Sequence, residues 1–440
     1  MKPVISPTIN TGRLLGELHH LATLTDCPPT TDATLPAPTT AVTRIVFTPR
    51  DLEARAYLTG LAEASGFSVS VDAIGNTFLR FPGTDPTLPA IGTGSHTDAI
   101  PHAGMYDGTV GVLGGLEAMR SLKESGFQPR RSIETLMFTS EEPTRFGIGC
   151  IGSRLLGGVI DPSTADALPD RLPETDPQAP NGLTLHDVRT AAGFTGSLDT
   201  VKLPANYYHA WVELHIEQGP LLERENIQLG IVTNIAAPAS YRYEITGFGG
   251  HAGALLMPDR RDALCAAAEL ILSVERHTLA ANTAAGTADS VATVGTVAVH
   301  PGAVNSVPSR VTLMLDIRDT AVTRRDSIMA ALRADIRALE TRRCVTISEQ
   351  QINADLPAVS DPHIVAVLEH FCASESISYK KMVSRAYHDS SFIARIAPIA
   401  MIFIPCRNGV SHRPDEHATP ESIARGTRIL ALTLAKLANE

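Results

Sequence analysis

The sequence predicts an α/β protein in which one domain, a sheet between helices, is interrupted by a smaller two-layer domain of sheet and helices. Three observations support this. A chain of 440 residues exceeds one ordinary core and suits about two to three domains. Ile91–Glu117, IGTGSHTDAIPHAGMYDGTVGVLGGLE, passes from a short apolar stretch through a polar loop into an amphipathic helix, the strand–loop–helix order of an α/β sheet. After Ile235 the order becomes β-α-β-β-α-β, and it returns to α/β near Leu356. The expected domains are 1–235 with 352–440, and 236–351 between them.

Thr11–Leu24 repeats Leu14, Leu15, Leu18 and Leu21 at helical spacing. Asp26–Thr40, rich in Pro and Thr, should be an irregular connection. Asp51–Ser65 reads as a helix ended by Gly66, and Phe67–Phe81 as a hairpin turning at Gly75-Asn76. Leu88–Gly94 is a buried strand and Thr109–Ser125 the helix beyond the loop. Arg131–Phe138 is the next strand, followed by Thr139-Ser140-Glu141-Glu142. Cys150–Gly157 is a helical patch, and Asp161–Pro204 a surface excursion with one short helix near Leu185–Ala192. Trp211–Ile216 is a strand that carries His215. In the interrupting domain, Tyr241–Thr246, Val291–His300, Val311–Arg318 and Val345–Gln351 are strands, with helices over Arg261–Glu275 and Ala321–Leu339. A helix at Pro362–Ser374, a segment His388–Ile396, a strand Ala400–Ile404 and a helix Pro420–Leu437 complete the chain.

Hydrophobic residues make up 43% and charged residues 19%, the balance of a globular protein with ample surface to bury. A net charge of −10 gives no attraction to nucleic acid or an anionic membrane, so neither is an expected partner. The six cysteines are dispersed with no CxxC pair, which suits reduced thiols. The first residues lack an apolar signal run, and no window approaches a membrane span. The expected location is the cytoplasm.

Metal-competent groups stand at strand ends or in the loops beyond them: His96, Asp98 and Asp107; Glu141 and Glu142; His215 and Glu217; His388 and Asp389; His412 and Asp415. Any one histidine or glutamate pair is ordinary, but open α/β sheets bind ligands where strands end, so the recurrence points to a metal site. A pair of divalent ions about 3.5–4 Å apart needs a bridging carboxylate with caps on each side. Asp107, opening a helix, suits the bridge. Of two adjacent glutamates, one can ligate while the other serves a water as general base. Asp98, two residues past His96, is expected to orient that imidazole.

GSHTDAIPHAGMYDG, FTSEEPTRFG, ELHIEQGPLLE, GGHAGALLMPDRRDA and SHRPDE, in this order, resemble the di-metal aminoacylase-type amidohydrolases. Within them they resemble the branch of allantoate amidohydrolases, N-carbamoyl-L-amino-acid hydrolases and plant-type ureidoglycolate amidohydrolases. The resemblance implies an aminopeptidase-like catalytic domain interrupted by a lid and dimerisation domain, hence a homodimer. It implies that His96 and His215 hold one metal and Glu142 and His412 the other, with Asp107 between and Glu141 as base. Asp98 belongs to the same catalytic set. Gln218 and the lid residue His251 would contact substrate, His251 polarising the scissile carbonyl from the partner subunit. Asn305 and Arg318 would hold a substrate carboxylate, work that suits the planar guanidinium fork. Ala386-Tyr387-His388-Asp389-Ser390, AAPAS at 236–240 and MIFIPC at 401–406 resemble the ureidoglycolate type, with Tyr387 and His388 at the substrate. The implied substrate is thus a small ureido-carboxylate, (S)-ureidoglycolate, with N-carbamoyl amino acids or allantoate as alternatives. Two metal ions are implied, manganese by resemblance, although three His and two carboxylates suit zinc, cobalt or nickel equally. Asp26–Thr40 departs from the family by its length.

Overall fold

The computed structural model describes residues 7–27, 34–172 and 180–440. Their contacts divide into two units. One comprises the described residues of 1–233 with 359–382 and 388–440, the other 234–358 with 383–387.

The first unit is built on a nine-stranded sheet, counted among the described residues. Its order is Ala358–Val359, Leu229–Ile235, Ile399–Ile404, Tyr208–Ile216, Ala90–His96, Ile133–Phe138, Thr77–Phe81 and Ser68–Val71, with Tyr379–Ser384 pairing Leu229–Ile235. The middle strands Ile399–Ile404, Tyr208–Ile216, Ala90–His96 and Ile133–Phe138 are mutually parallel, so their carboxyl ends share one edge. Such strands are covered on both faces, which is why IAMIFI and AIGTGSH are buried throughout.

The helix Thr109–Glu124 is buried from Thr109 to Leu122 and packs on this sheet and on the final helix, Pro420–Ala438. Its glycines allow the approach. A Cβ on Gly111 would lie 2.5 Å from the carbonyl oxygen of Leu214, and one on Gly114 2.9 Å from a Leu214 methyl.

The second unit holds a four-stranded antiparallel sheet among its described residues, ordered Val291–His300, Arg310–Asp319, Ala237–Thr246 and Thr346–Ala354. Val311, Leu313, Leu315 and Ile317 alternate inward against the helices Ala263–Ala285 and Val322–Arg343. The expected mixed α/β class and the two-layer character of this segment are both seen.

Several elements differ from expectation. The polar loop after His96 contains a strand, Ala99–Ala103, paired with Val42–Arg44. Pro101 hid it, because proline reads against a strand and is tolerated only at edges. Leu229–Ile235 and Tyr379–Ser384 were also unforeseen, the apolar run LGIV being too short to separate strand from loop. Pro162–Asp166 adds a helix to the 161–204 excursion, with Asp161 as N-cap, while 173–179 lie outside the described residues. The helix expected to stop at Glu275 continues to Ala285, where Gly286 adopts φ +62° and closes it.

Leu214 is buried between Gly114 and Gly426. Leu214→Ala should cost about 2–5 kcal/mol through lost burial and a residual cavity. Thermal unfolding checks this, and an unchanged midpoint would contradict the packing described.

Candidate metal centre

The shared edge of the parallel strands gathers the expected side chains. His96 is the last residue of its strand and His215 the penultimate residue of the neighbouring one. Glu141 and Glu142 follow the strand Ile133–Phe138, and His412 lies on the loop beyond Ile399–Ile404. Asp107 precedes Gly108, whose φ of +67° turns the chain into the helix. A Cβ there would sit 2.5 Å from His96 Nε2, so only glycine passes this close.

Asp107 faces two ways. Its Oδ1 lies 3.2 Å from His215 Nε2 and 3.7 Å from His96 Nε2. Its Oδ2 lies 3.1 Å from His412 Nε2, which is in turn 3.3 Å from Glu142 Oε1. The trios His96/Asp107/His215 and Asp107/Glu142/His412 each keep their donor atoms within 4.8 Å of one another. Ligands at about 2.0–2.2 Å from a tetrahedral ion stand roughly 3–3.5 Å apart, so both trios fit a divalent cation.

The imidazole tautomers also fit. His96 Nδ1 is 2.9 Å from the Asp98 carbonyl and His215 Nδ1 is 2.9 Å from the Ile216 carbonyl. A carbonyl only accepts, so each Nδ1 carries a hydrogen, and Nε2 is the nitrogen turned toward Asp107 that a cation would take.

Asp98 differs from expectation. The group that orients His96 is its backbone carbonyl; its carboxylate stands 3.8 Å from Nδ1. That carboxylate instead accepts the backbone N–H of Glu141 at 3.3 Å and of Glu142 at 3.0 Å, and so holds the turn that presents both glutamates. Burial pushes Asp98 up to about 6.

Glu141 Oε2 lies 3.7 Å from His96 Nε2, and the Cys150 thiol donates to Oε1 at 3.5 Å. Burial, opposed by His96 and reinforced by Glu142, Asp389 and Asp107, pushes the Glu141 carboxyl well above its ordinary range. The direction is the one in which a carboxylate gains affinity for a proton. Burial also raises Asp107, but the His215, His412 and His96 imidazoles outweigh it and hold it well below the usual range.

Other residues here were not singled out from the sequence. Glu416 accepts the N–H of Tyr106 at 2.8 Å and of Asp107 at 3.0 Å, and the Ser411 hydroxyl at 2.8 Å. It thereby ties the Asp107 loop to the His412 loop, and burial beside Asp107 pushes it up to about 7. Glu213 accepts hydroxyls from Ser95 and Ser390 and forms a third close group with His215 and His388. Glu213 was legible in principle, since side chains two apart on a strand share a face, here with His215. The buried His388 ring stands edge-on to His215 at 4.6 Å. Gln218 Nε2 donates to Asp107 Oδ2 at 2.9 Å.

His251, Asn305, Arg318 and Tyr387 lie in the second unit. His251 and Asn305 are neighbours there: Gly250–His251 pairs with Ser306–Val307, and Ala252 N–H donates to the Asn305 carbonyl at 2.9 Å. Arg318 pairs with Asp316 at 2.7 Å, and the Tyr387 hydroxyl donates to Asp355 at 2.8 Å.

Hydrogen bonds to Asp107 and Glu142 push His412 up to about 11. A cation and that proton compete for one lone pair. Metal loading near neutral pH should therefore release protons, and apparent affinity should rise with pH. Calorimetry in buffers of different ionisation enthalpy reads this directly; a binding heat independent of buffer would contradict it.

Comparison with known proteins gives the family. Residues 92–436 match the model of peptidase family M20/M25/M40. A ureidoglycolate hydrolase of Oryza sativa subsp. japonica is 48% identical over 406 residues, covering 91% of this chain and 81% of that protein. An N-carbamoyl-L-amino-acid amidohydrolase of a Pseudomonas sp. is 34% identical, covering 90% and 93%. The crystal structure of AtUAH in complex with glyoxylate superposes with a TM-score of 0.85 at 43% identity, covering 98% of this chain and 99% of that one. A complex of AtUAH with (S)-hydroxyglycine matches equally. This chain is a hydrolase belonging to peptidase family M20/M25/M40.

Proposed function

We propose that the protein is an amidohydrolase that cleaves the ureido C–N bond of (S)-ureidoglycolate. The observation that carries the chemistry is the Asp107 carboxylate, one oxygen facing His96 and His215 and the other facing His412 and, through it, Glu142. The substrate rests on similarity to the rice ureidoglycolate hydrolase and to AtUAH, which is held with glyoxylate or (S)-hydroxyglycine.

Two divalent cations in these donor sets would polarise the ureido carbonyl and acidify a water. Manganese is our choice by family resemblance, the donors suiting zinc, cobalt and nickel as well. Glu141 takes the proton of the attacking water at its carboxylate and gives it to the departing ammonia. Asp98 keeps Glu141 and Glu142 in place through their N–H groups. The resulting carbamate loses CO2 and a second ammonia to leave glyoxylate, so one water and one ureidoglycolate give glyoxylate, CO2 and two ammonia. Gln218, whose buried amide oxygen has no partner among the described residues, offers an acceptor to a ureido N–H.

Residues 236–351 act as the lid in this reading. Asn305 and Arg318 hold the substrate carboxylate and Tyr387 and His388 line the site. His251 reaches the partner's oxyanion in a homodimer formed through this domain. Its support is the edge strand Val291–His300, with Val297 exposed, and the exposed Leu272 and Leu279 on the adjacent helix. No described helix is long and apolar enough to cross a membrane, and all six cysteines are free thiols. Both suit the cytoplasm.

Ammonia release from (S)-ureidoglycolate, allantoate and N-carbamoyl-L-amino acids by manganese-loaded protein tests the reading. Ureidoglycolate should turn over fastest; turnover of a carbamoyl amino acid or allantoate alone would overturn it. Glu141→Gln should retain both metals and lose about 10²–10⁴-fold in kcat. Loss of a metal in that variant would instead make Glu141 the ligand and Glu142 the base.

A further inference from the structure

Residues 36–40 of the Pro/Thr-rich segment, conspicuous in the sequence and without part in the proposed chemistry, meet the His412 loop through the Arg407 guanidinium and one backbone hydrogen bond. Arg407 Nη1 donates to the Ala37 carbonyl at 2.8 Å. Its Nη2 is shared among the carbonyls of Pro36 at 3.0 Å, Pro38 at 3.1 Å and Asp415 at 2.6 Å. Beside it, Thr40 N–H donates to the Pro414 carbonyl at 2.8 Å, and Arg407 N–H closes the base of the loop on the His417 carbonyl at 2.8 Å. Residues 36–40 therefore run along the outer side of the loop 411–417.

The composition suits this contact. Proline has no N–H, so Pro36 and Pro38 present carbonyls without adding donors, and such a run does not join a sheet or helix that would consume them. Arginine is permanently charged and carries five N–H donors in a planar fork, so one side chain can gather several carbonyls from two segments.

The loop has need of an external hold. His412 is the half-exposed member of the donor set, its side chain 48% accessible against 7% or less for His96, Asp107, Glu142 and His215. Its backbone sits at φ +58°, a conformation that a non-glycine residue keeps only when its surroundings enforce it. From Pro405 to Thr419 the only regular structure is the 3-10 turn Arg407–Gly409. Glu416 fastens the loop from the inside, to Asp107; Arg407 and Thr40 fasten it from the outside.

We propose that Pro36–Thr40 and Arg407 form a clamp that holds the His412 loop in its ligating position, making Arg407 a positioning residue for the cation at Asp107, Glu142 and His412. This rests on His412 being a metal ligand, as proposed above. The cation at His96 and His215 draws on buried strand ends and does not depend on the clamp.

Metal-free wild-type protein, Arg407→Ala and Arg407→Lys are titrated with Mn²⁺ by calorimetry, with metal content read after equilibrium dialysis and folding checked by circular dichroism. Lysine keeps the charge and loses the fork, and so covers the case in which alanine prevents folding. Wild type should bind two ions. Both variants should bind one ion as tightly as wild type and the other about 10–100-fold more weakly, with kcat restored by excess Mn²⁺. Two ions bound at wild-type affinity in the variants would overturn the clamp and leave the metal assignment standing, as would equal weakening of both ions, which marks general damage. A wild-type protein that binds fewer than two ions removes the metal assignment itself.

Discussion

Burying negative charge at one edge of a sheet is the constraint on which the rest of this structure depends. Asp98, Asp107, Glu141, Glu142, Asp389 and Glu416 all gather there in or beside a buried setting. Ionised carboxylates removed from water are costly unless something positive or hydrogen-bonding meets each one. The amides of Glu141 and Glu142 meet Asp98, those of Tyr106 and Asp107 meet Glu416, and Ser153 meets Asp389. Even so, burial, with Glu213 nearby, pushes Asp389 up to about 8. Three imidazoles stand against Asp107, and the same imidazoles are the groups a cation would share with it. In the proposed function, two divalent cations would settle this concentration of charge.

The sheet makes that concentration possible. Four parallel strands end together, so residues far apart in sequence arrive at one edge without long side chains having to reach for it. The helix behind them lies close because Gly111 and Gly114 have no Cβ to collide with Leu214, and Gly108 lets the bridging loop pass against His96. Packing economy in the core and crowding of ligands at its rim come from the same small residues. In the proposed reaction this edge holds the metals and the base, with Gln218 and His388 beside them, and the second unit adds His251, Asn305, Arg318 and Tyr387 for the substrate.

Much of this was legible in the chain. Ligand-type side chains that follow apolar runs announce the strand ends, and it is the family resemblance that picks His96, Asp107, Glu142, His215 and His412 from among them. The order of helices and strands likewise gave the fold class. What escaped was decided by register between distant segments. Glu416 and Asp107 are 309 residues apart, and nothing local in SHRPDE says which amide Glu416 will accept. Asp98 looked like a partner for its near neighbour His96, yet its carbonyl takes that place and its carboxylate serves Glu141 and Glu142, 43 and 44 residues away. The strand Ala99–Ala103 was hidden by Pro101, and Pro36, Ala37 and Pro38 read as mere connection because the acceptors they offer are backbone carbonyls.

The central claim is that Asp107 stands between two cations. An anomalous-scattering map of crystals grown with Mn²⁺ tests it most directly. The account predicts two peaks about 3.5–4 Å apart, one beside His96 and His215 and one beside Glu142 and His412, with Asp107 between them. A single peak, or a peak held instead by Glu213, His215 and His388, would contradict it.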